Sequence, residues 1–206
     1  IERAAAALAE TMLGATLPHA RAAALLLVEV EGFSERRAQD DIEAVGQTLL
    51  ASGADDVDLA PRERVWRVRH AVAEAIKRLP AYSAVDASVP RRAMPELVRR
   101  AHAIAVRRRL EVVCFGHAGD GNIHVDFVKR AAGDPAWERG IGPAVRDVLE
   151  ATVALGGSIT GEHGVGMLRR EELALQLDAA TLRAMRALKS AWDPANLLNP
   201  GKIWAQ

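Results

Sequence analysis

The sequence has little cysteine and no long apolar run, and each shortage excludes a class of protein. Cys114 is the only cysteine in 206 residues, so no disulfide can form within the chain, and a reducing, cytoplasmic compartment is predicted. The residues at 112–115 are apolar, which predicts a buried and unreactive thiol. No apolar run approaches the roughly 20 residues that span a bilayer, and the first residues lack the pattern of a secretory signal peptide.

An excess of charge of one sign is also absent. Lysine plus arginine and aspartate plus glutamate number 27 each, so neither nucleic acid nor an anionic membrane surface is predicted as a partner. Seven arginines lie between positions 91 and 109, but their spacing is typical of the solvated face of a helix. The chain begins at Ile1, without methionine and inside a helical pattern, which indicates a piece of a longer protein.

Hydrophobic spacing predicts alternating helices and strands. Helices are predicted at about 2–13, 34–52, 61–79, 95–108, 135–155, 169–177 and 179–191, and strands at 24–30, 57–59, 82–87, 112–115 and 122–128. The last two strands are separated by a short glycine-rich turn and predict a hairpin, which favours an α+β fold with an antiparallel sheet and helices on one face. Asp193-Pro194 ends the last helix, so residues 1–192 are predicted as one domain and 193–206 as a tail.

The most informative stretch is 116–124, with the sequence Gly-His-Ala-Gly-Asp-Gly-Asn-Ile-His. Three glycines in six positions exclude a helix in practice. His117 and His124 are therefore predicted at the two feet of a tight turn between strands, where two imidazoles can converge on a metal ion. The same histidines could instead be hydrogen-bonded turn residues. The glycine spacing is not a dinucleotide-binding fingerprint, because a strand follows it and not a helix.

A second glycine-flanked stretch, Gly-Glu-His-Gly-Val-Gly at 161–166, supplies a carboxylate. Glu162 would complete a ligand set of two histidines and one carboxylate with open coordination positions. His163 would then be free to act as a base. A metal ion in such a set would acidify the hydroxyl group of a bound hydroxy acid, and hydride would leave Cα as that proton departs. Taken alone, this stretch is also compatible with an ordinary turn.

These two stretches, together with Asp193-Pro194 and Asn-Pro-Gly-Lys-Ile at 199–203, resemble the FAD-linked oxidase C-terminal family. Its members include the FAD-binding subunit of glycolate oxidase, D-lactate dehydrogenases and D-2-hydroxyglutarate dehydrogenase. The blocks occur in the family's order and spacing, and the segments 26–32, 66–69 and 86–91 are similar to it as well. The resemblance covers nearly the whole chain from about residue 23 onward.

The resemblance implies a two-part enzyme. An N-terminal domain of the family binds FAD, and the region similar to this chain forms a substrate-side cap with a ferredoxin-like antiparallel sheet and a helical C-terminal segment. Carried over by position, His117, His124 and Glu162 match the metal ligands of the metal-dependent members. His163 matches the proposed base.

The resemblance assigns roles to three further positions. Arg69 matches an arginine that grips the substrate carboxylate, although without the family it would be interpreted as a solvated helix residue. Asn199 matches a residue that approaches the flavin. Ala84, two positions before Asp86, stands where hydroxyglutarate-type members carry a lysine for the distal carboxylate. This departure favours small acids such as glycolate or D-lactate as substrates.

The leading prediction is the cap part of an FAD-dependent 2-hydroxyacid dehydrogenase, in which hydride passes from the substrate Cα to FAD and electrons leave to an acceptor protein or a quinone pool. FAD would be held mainly by a missing N-terminal domain, so the fragment alone is predicted to be inactive. Zinc, manganese and iron all suit the ligand set. The protein would be cytoplasmic, or peripheral at the inner membrane through a partner. Two alternatives remain open: a metal-dependent hydrolase, and a non-catalytic binding or assembly module that kept the cap fold.

Overall fold

The structure, a computed structural model, describes residues 1–19 and 21–204 and divides the chain into two units. The first unit is Ile1–Arg78 and the second is Leu79–Gln206. The predicted division into a cap at 1–192 and a tail at 193–206 stays a prediction. Within the described residues, no helix is both long and apolar enough to cross a membrane.

The described residues of the first unit form three helices, α1 (Arg3–Leu13), α2 (Glu35–Ala51) and α3 (Arg62–Lys77), and α1 contacts α3. The predicted helix boundaries follow from local signals. Gly14 ends α1 in the left-handed conformation, and the Ser34 side chain caps α2 by accepting a hydrogen bond from the Arg37 N–H. These two caps explain why the end of α1 and the start of α2 could be predicted from the sequence.

The two strands predicted for the first unit are wrong. The segment 24–30 forms only an isolated bridge between Ala24 and Glu2, and the segment 57–59 forms no strand. A strand needs a neighbouring strand to satisfy its backbone N–H and C=O groups. Among the described residues of this unit, no regular strand is available as that neighbour.

The second unit contains a three-stranded antiparallel sheet in the order β1–β3–β2. Its elements are β1 (Ala81–Ser88), α4 (Met94–Arg108), β2 (Glu111–His117), β3 (Asn122–Lys129), α5 (Pro135–Ala154) and α6 (Ala179–Trp192). The hairpin predicted at 112–128 is therefore confirmed, and so is the α+β class with an antiparallel sheet. The predicted helix at 169–177 is wrong, because only a single 3₁₀ turn forms there, at Glu172–Leu175.

The order β1–α4–β2–β3–α5 matches the first five elements of the ferredoxin-like βαββαβ unit. In place of a full fourth strand, the segment 158–161 follows the outer edge of β1. Ser158 and Ser88 exchange two backbone hydrogen bonds of 2.7 and 3.1 Å, and the Gly161 N–H donates to the Asp86 carbonyl at 3.0 Å. This partial strand delivers the second glycine-flanked stretch to the sheet.

The helices α4 and α5 cover one face of the sheet, as predicted. Side chains alternate between the two faces of a strand, and in β3 Ile123, Val125 and Phe127 belong to the same buried core as residues of both helices. The intervening residues His124 and Asp126 therefore lie on the opposite face, which we call the open face. This face, free of α4 and α5, carries the candidate site.

Candidate functional site

The open face brings the two predicted histidines together. His117 is the last residue of β2 and His124 is the third residue of β3, and their ring centroids lie 5.8 Å apart. His124 is 6% exposed, and its ring centroid lies 5.0 Å from that of Phe115 and 5.3 Å from that of His163. His117 thus lies at the foot of the turn, as predicted, whereas His124 lies two residues inside β3 on the same face of the sheet.

The turn between the histidines is tight because Gly121 has no side chain. Its φ of 75° is left-handed, and a Cβ atom there would lie 2.1 Å from the Val89 carbonyl oxygen. The Val89 N–H in turn donates to the Gly121 carbonyl at 2.9 Å. The close approach of these two backbone segments fixes where β3 begins. It thereby fixes the position of His124, two residues later, along the strand.

Glu162 completes the predicted ligand set. Its Oε1 atom lies 3.2 Å from His124 Nε2 and 3.7 Å from His117 Nε2. Two ligand atoms that each bind zinc at about 2.0–2.1 Å with a tetrahedral angle lie about 3.3 Å apart, so these separations suit one ion between the three side chains. The ligand atoms of all three residues lie within 4.8 Å of one another.

His163 lies beside this set but stays accessible. Its ring stacks on the His124 ring with an interplanar angle of 18°, and its Nε2 atom is 3.8 Å from Glu162 Oε1. The His163 side chain is 60% exposed, whereas that of His124 is 8% exposed. The exposed imidazole has room to meet a substrate, which suits the predicted base.

Burial determines the protonation of His124. Removal from water lowers the pKa of its imidazole, more than the nearby carboxylates of Asp86 and Glu162 raise it. The neutral ring is the form that can bind a metal ion through a nitrogen lone pair. The His124 Nδ1 atom lies 3.7 Å from Asp86 Oδ1, so a carboxylate faces the nitrogen that is turned away from Glu162.

Asp86 is the residue of this site to which the sequence assigned no role. Its Oδ2 atom accepts the backbone N–H groups of Gly161 at 2.9 Å and of Glu162 and His163 at 2.8 Å, and its Oδ1 atom accepts from Asn122 Nδ2 at 2.7 Å. Burial opposes ionisation, but these hydrogen bonds outweigh it and lower the pKa of Asp86 to about 2. Asp86, His124 and His163 also form a second possible ligand group.

Asp126 is a second buried carboxyl group on the open face. It is 4% exposed, and no hydrogen-bond partner for its Oδ1 atom occurs in the described part of the chain. Burial raises the pKa of Asp126 to about 6, although the charge of His163 acts to lower it. The folded protein therefore favours the protonated carboxyl group, and this contribution to stability is fully present below pH ~4 and is lost as the pH rises through about 6.

We expect the free energy of unfolding of Asp126→Asn, measured relative to that of the unmodified protein, to be larger at pH 8 than at pH 4. The difference between about 6 and the ordinary 3.8 corresponds to ~3 kcal/mol of unfolding free energy. Urea unfolding of the metal-free protein at both pH values measures it. As a control, Asp147→Asn should lose stability at pH 8, because Arg107 and Arg108 bind Asp147 and lower its pKa against the effect of burial. An Asp126→Asn effect that is the same at both pH values would contradict this expectation.

Arg69 and Asn199 belong to other parts of the chain than the strands and loop described above. Arg69 is a half-buried residue of α3 in the first unit, and its carboxylate-binding role stays a prediction. Asn199 is exposed in the tail after α6, with a left-handed φ of 50°, and its Oδ1 atom accepts a hydrogen bond from Lys202 Nζ at 2.9 Å. The Ile203 N–H donates to the Gly166 carbonyl at 2.7 Å, which ties this tail to the end of the stretch 161–166. The flavin contact of Asn199 also stays a prediction.

Known proteins resemble this chain over most of its length. The glycolate oxidase subunit GlcD of Bacillus subtilis (strain 168) is 35% identical over 190 residues, which are 90% of this chain and 40% of that protein. The D-2-hydroxyglutarate dehydrogenase of Stutzerimonas stutzeri (strain A1501) is 32% identical over 186 residues, which are 87% of this chain and 40% of that protein. The chain thus spans about two fifths of the length of these relatives.

A solved structure resembles the fold at lower identity. The 4-ethylphenol oxidase of Gulosibacter chungangensis, solved as an isoeugenol complex, matches with a TM-score of 0.55 and 17% identity, over 84% of this chain and 38% of that chain. The family model described as FAD linked oxidases, C-terminal domain, matches residues 1–203. The expected family resemblance is therefore confirmed, and the chain belongs to the FAD-linked oxidase C-terminal domain family.

Proposed function

We propose that this chain is the substrate-side part of a flavoprotein that oxidises a small 2-hydroxy acid to the 2-oxo acid. One observation carries the proposal: His117, His124 and Glu162 meet on the open face with the accessible His163 beside them. Family membership supports the flavin, and the relatives' greater length supports a flavin-binding domain outside these residues. The electron acceptor would be a protein or a quinone.

In this proposal His117, His124 and Glu162 hold a divalent ion, with zinc, manganese and iron all suited to the ligand set. When bound, such an ion supplies Lewis acidity that lowers the pKa of a coordinated hydroxyl group. The chain's own contribution is a neutral, buried His124 and a carboxylate that offsets part of the ion's charge. Three protein ligands leave coordination positions for substrate.

His163 would accept the hydroxyl proton of the substrate. Its imidazole is exposed and its Nε2 atom is 3.8 Å from Glu162 Oε1, so a hydroxyl group beside Glu162 lies within reach of it. Bound FAD would supply the acceptor for the hydride that leaves Cα. Arg69 would bind the substrate carboxylate, and Asn199 would approach the flavin.

The substrate in this proposal is a small acid such as glycolate or D-lactate. Ala84 lies two residues before Asp86 in β1 and faces the same side of the sheet, and it offers no charge for a second carboxylate. The guanidinium group of Arg169 donates one of its N–H groups to the Ala84 carbonyl at 2.6 Å, which directs it to the backbone of β1. A distal carboxylate would therefore lack the ion pair that a lysine at position 84 would supply.

Anaerobic reduction of the flavin in the full-length protein tests the proposal. Glycolate, D-lactate, L-lactate and D-2-hydroxyglutarate are added separately, and the loss of flavin absorbance is followed. We expect rapid bleaching by glycolate or D-lactate. Bleaching chiefly by D-2-hydroxyglutarate would overturn the substrate assignment, and bound flavin that no acid reduces would overturn the reaction. A full-length protein without flavin would favour the binding or assembly module.

A further inference from the structure

We propose that Asp86, together with Asn122, is a positioning residue that sets the backbone of residues 161–163 on the open face and thereby places Glu162 and His163. The inference deepens the proposed function and rests on it only in taking Glu162 as a metal ligand. Asp86 itself neither binds the ion nor touches substrate in this proposal. It acts through the loop that it holds.

The first observation is the number of donors that meet on one carboxylate oxygen. Three successive backbone N–H groups, from 161 to 163, donate to Asp86 Oδ2 at 2.8–2.9 Å, and Thr160 Oγ1 lies 3.3 Å from the same oxygen. Successive N–H groups turned toward one point form a concave site for an anion. Hydrogen bonds to an ionised acceptor are shorter and stronger than those to a neutral one, so a carboxylate holds this loop better than an amide could.

The second observation is that Asn122 holds the other oxygen. Asn122 is 5% exposed, and its Nδ2 donates to Asp86 Oδ1 at 2.7 Å. Asp86 belongs to β1 and Asn122 to the adjacent strand β3, so both come from the rigid sheet. The loop also lies directly on this pair, since a Cβ atom at Gly161 would be 1.7 Å from Asn122 Nδ2. The sheet therefore determines where the loop runs.

The third observation is that Glu162 and His163 lie outside any helix or strand. Their side chains are 51% and 60% exposed, so packing restricts them little beyond the stacking of His163 on His124. What locates them is the backbone, and in both residues the backbone N–H is bound by Asp86. The 3.2 Å approach of Glu162 Oε1 to His124 Nε2 depends on this anchoring.

The competing role for Asp86 is that of a ligand, in the group that it forms with His124 and His163. A carboxylate offers about four acceptor directions. The three loop N–H groups converge on Oδ2, so a metal ion bound to that atom would have to displace them, and the loop would lose its anchor. The other oxygen, Oδ1, accepts the Asn122 amide and lies 3.7 Å from His124 Nδ1. Ligation through Oδ1 is therefore the competing role that an experiment has to exclude.

An exchange of the two side chains separates the roles. Asp86→Asn has one acceptor oxygen, and if that oxygen faces the loop, the new amide NH₂ faces the Asn122 NH₂, donor against donor. The double variant Asp86→Asn with Asn122→Asp restores a donor–acceptor pair while moving the charge from residue 86 to residue 122. The matched control is Asp147→Asn. Asp147 belongs to α5 and binds Arg108, so its replacement also removes a hydrogen-bonded carboxylate.

Two measurements are made on the full-length protein after chelation: amide hydrogen exchange of the segment 158–166 and the Kd for Zn²⁺. We expect Asp86→Asn to speed exchange of that segment at least tenfold and to weaken Zn²⁺ binding roughly 10- to 100-fold, the usual range for groups that orient metal ligands. The double variant should recover part of both losses, because the donor–acceptor pair with residue 122 returns while the loop N–H groups meet a neutral oxygen. Asp147→Asn should change neither.

Either of two results would overturn the proposal. The first is that the exchange rate and the Kd for Zn²⁺ of Asp86→Asn stay within threefold of the values of the unmodified protein. Asp86 would then not hold the loop. A double variant no better than Asp86→Asn would mean that the pairing of residues 86 and 122 does not help to hold the loop. If Asp86→Asn fails to fold, the folding and Zn²⁺ binding of the double variant decide. Neither measurement involves flavin, so failure of the proposed function would show separately, in the bleaching experiment.

Discussion

Replacing His117 with alanine should abolish tight metal binding by the full-length protein. His117 Nε2 lies 3.7 Å from Glu162 Oε1, and its loss would leave two of three protein ligands. We expect the affinity for Zn²⁺ to fall by more than the roughly 10- to 100-fold that is typical for groups that only orient ligands. Titration of the chelated protein with Zn²⁺ measures the change.

His163→Ala is the matched histidine variant for this experiment. We expect it to keep Zn²⁺ affinity, because His163 is outside the predicted ligand set, and to lower kcat by roughly 10²- to 10⁴-fold, the usual contribution of a positioned base. The pair of variants therefore separates metal binding from proton transfer. If His163→Ala lost the metal while Glu162→Ala kept it, the assigned roles would be wrong.

The second large effect is expected for Gly161→Ala. A Cβ atom at this position would lie 1.7 Å from the buried Asn122 Nδ2 and 3.0 Å from Asp86 Oδ1, so the loop at 161–163 must move away from the sheet. Overpacking of a tight site costs about 1–3 kcal/mol of unfolding free energy. Zn²⁺ affinity should fall as well, since Glu162 moves with the loop. Urea unfolding and Zn²⁺ titration report the two effects.

Gly46→Ala provides the control of opposite sign. Gly46 is a half-buried residue of α2, and a Cβ atom there would lie 3.5 Å from Val57 Cγ1, an ordinary van der Waals contact. Alanine is a better helix former than glycine, so this variant should gain about 0.5–1 kcal/mol of stability and keep its Zn²⁺ affinity. Equal effects of the two glycine substitutions would count against the close contact between the loop and Asn122.

Helices and the hairpin could be predicted because their signals are local. Gly14 and Ser34 mark helix ends through interactions with residues a few positions away, and the glycine-rich turn at 118–121 connects adjacent strands. The strand expected at 24–30 failed for the converse reason: a strand requires partners from elsewhere in the chain. The helix expected at 169–177 also failed, and there the Arg169 side chain is drawn to the Ala84 carbonyl, 85 residues away.

The candidate site also has residues that the sequence could identify and residues that it could not. Residue types, glycine patterns and family resemblance were sufficient to select His117, His124, Glu162 and His163 from the sequence. No local pattern connects Asp86 with Asn122, 36 residues later, or with the N–H groups 75 to 77 residues later. Nor does composition indicate that Asp126 is buried without a partner for Oδ1 while Asp120 is exposed in a turn.

The sequence by itself therefore determined which groups could do chemistry, since that depends on residue type and on short-range backbone freedom. The tertiary structure decided which of them share one face, how far apart their atoms lie, and which carboxyl group ionises readily. Those properties arise from strand register and burial. The register aligns Asp86 with His124 across β1 and β3, and burial separates the pKa of Asp86, about 2, from that of Asp126, about 6.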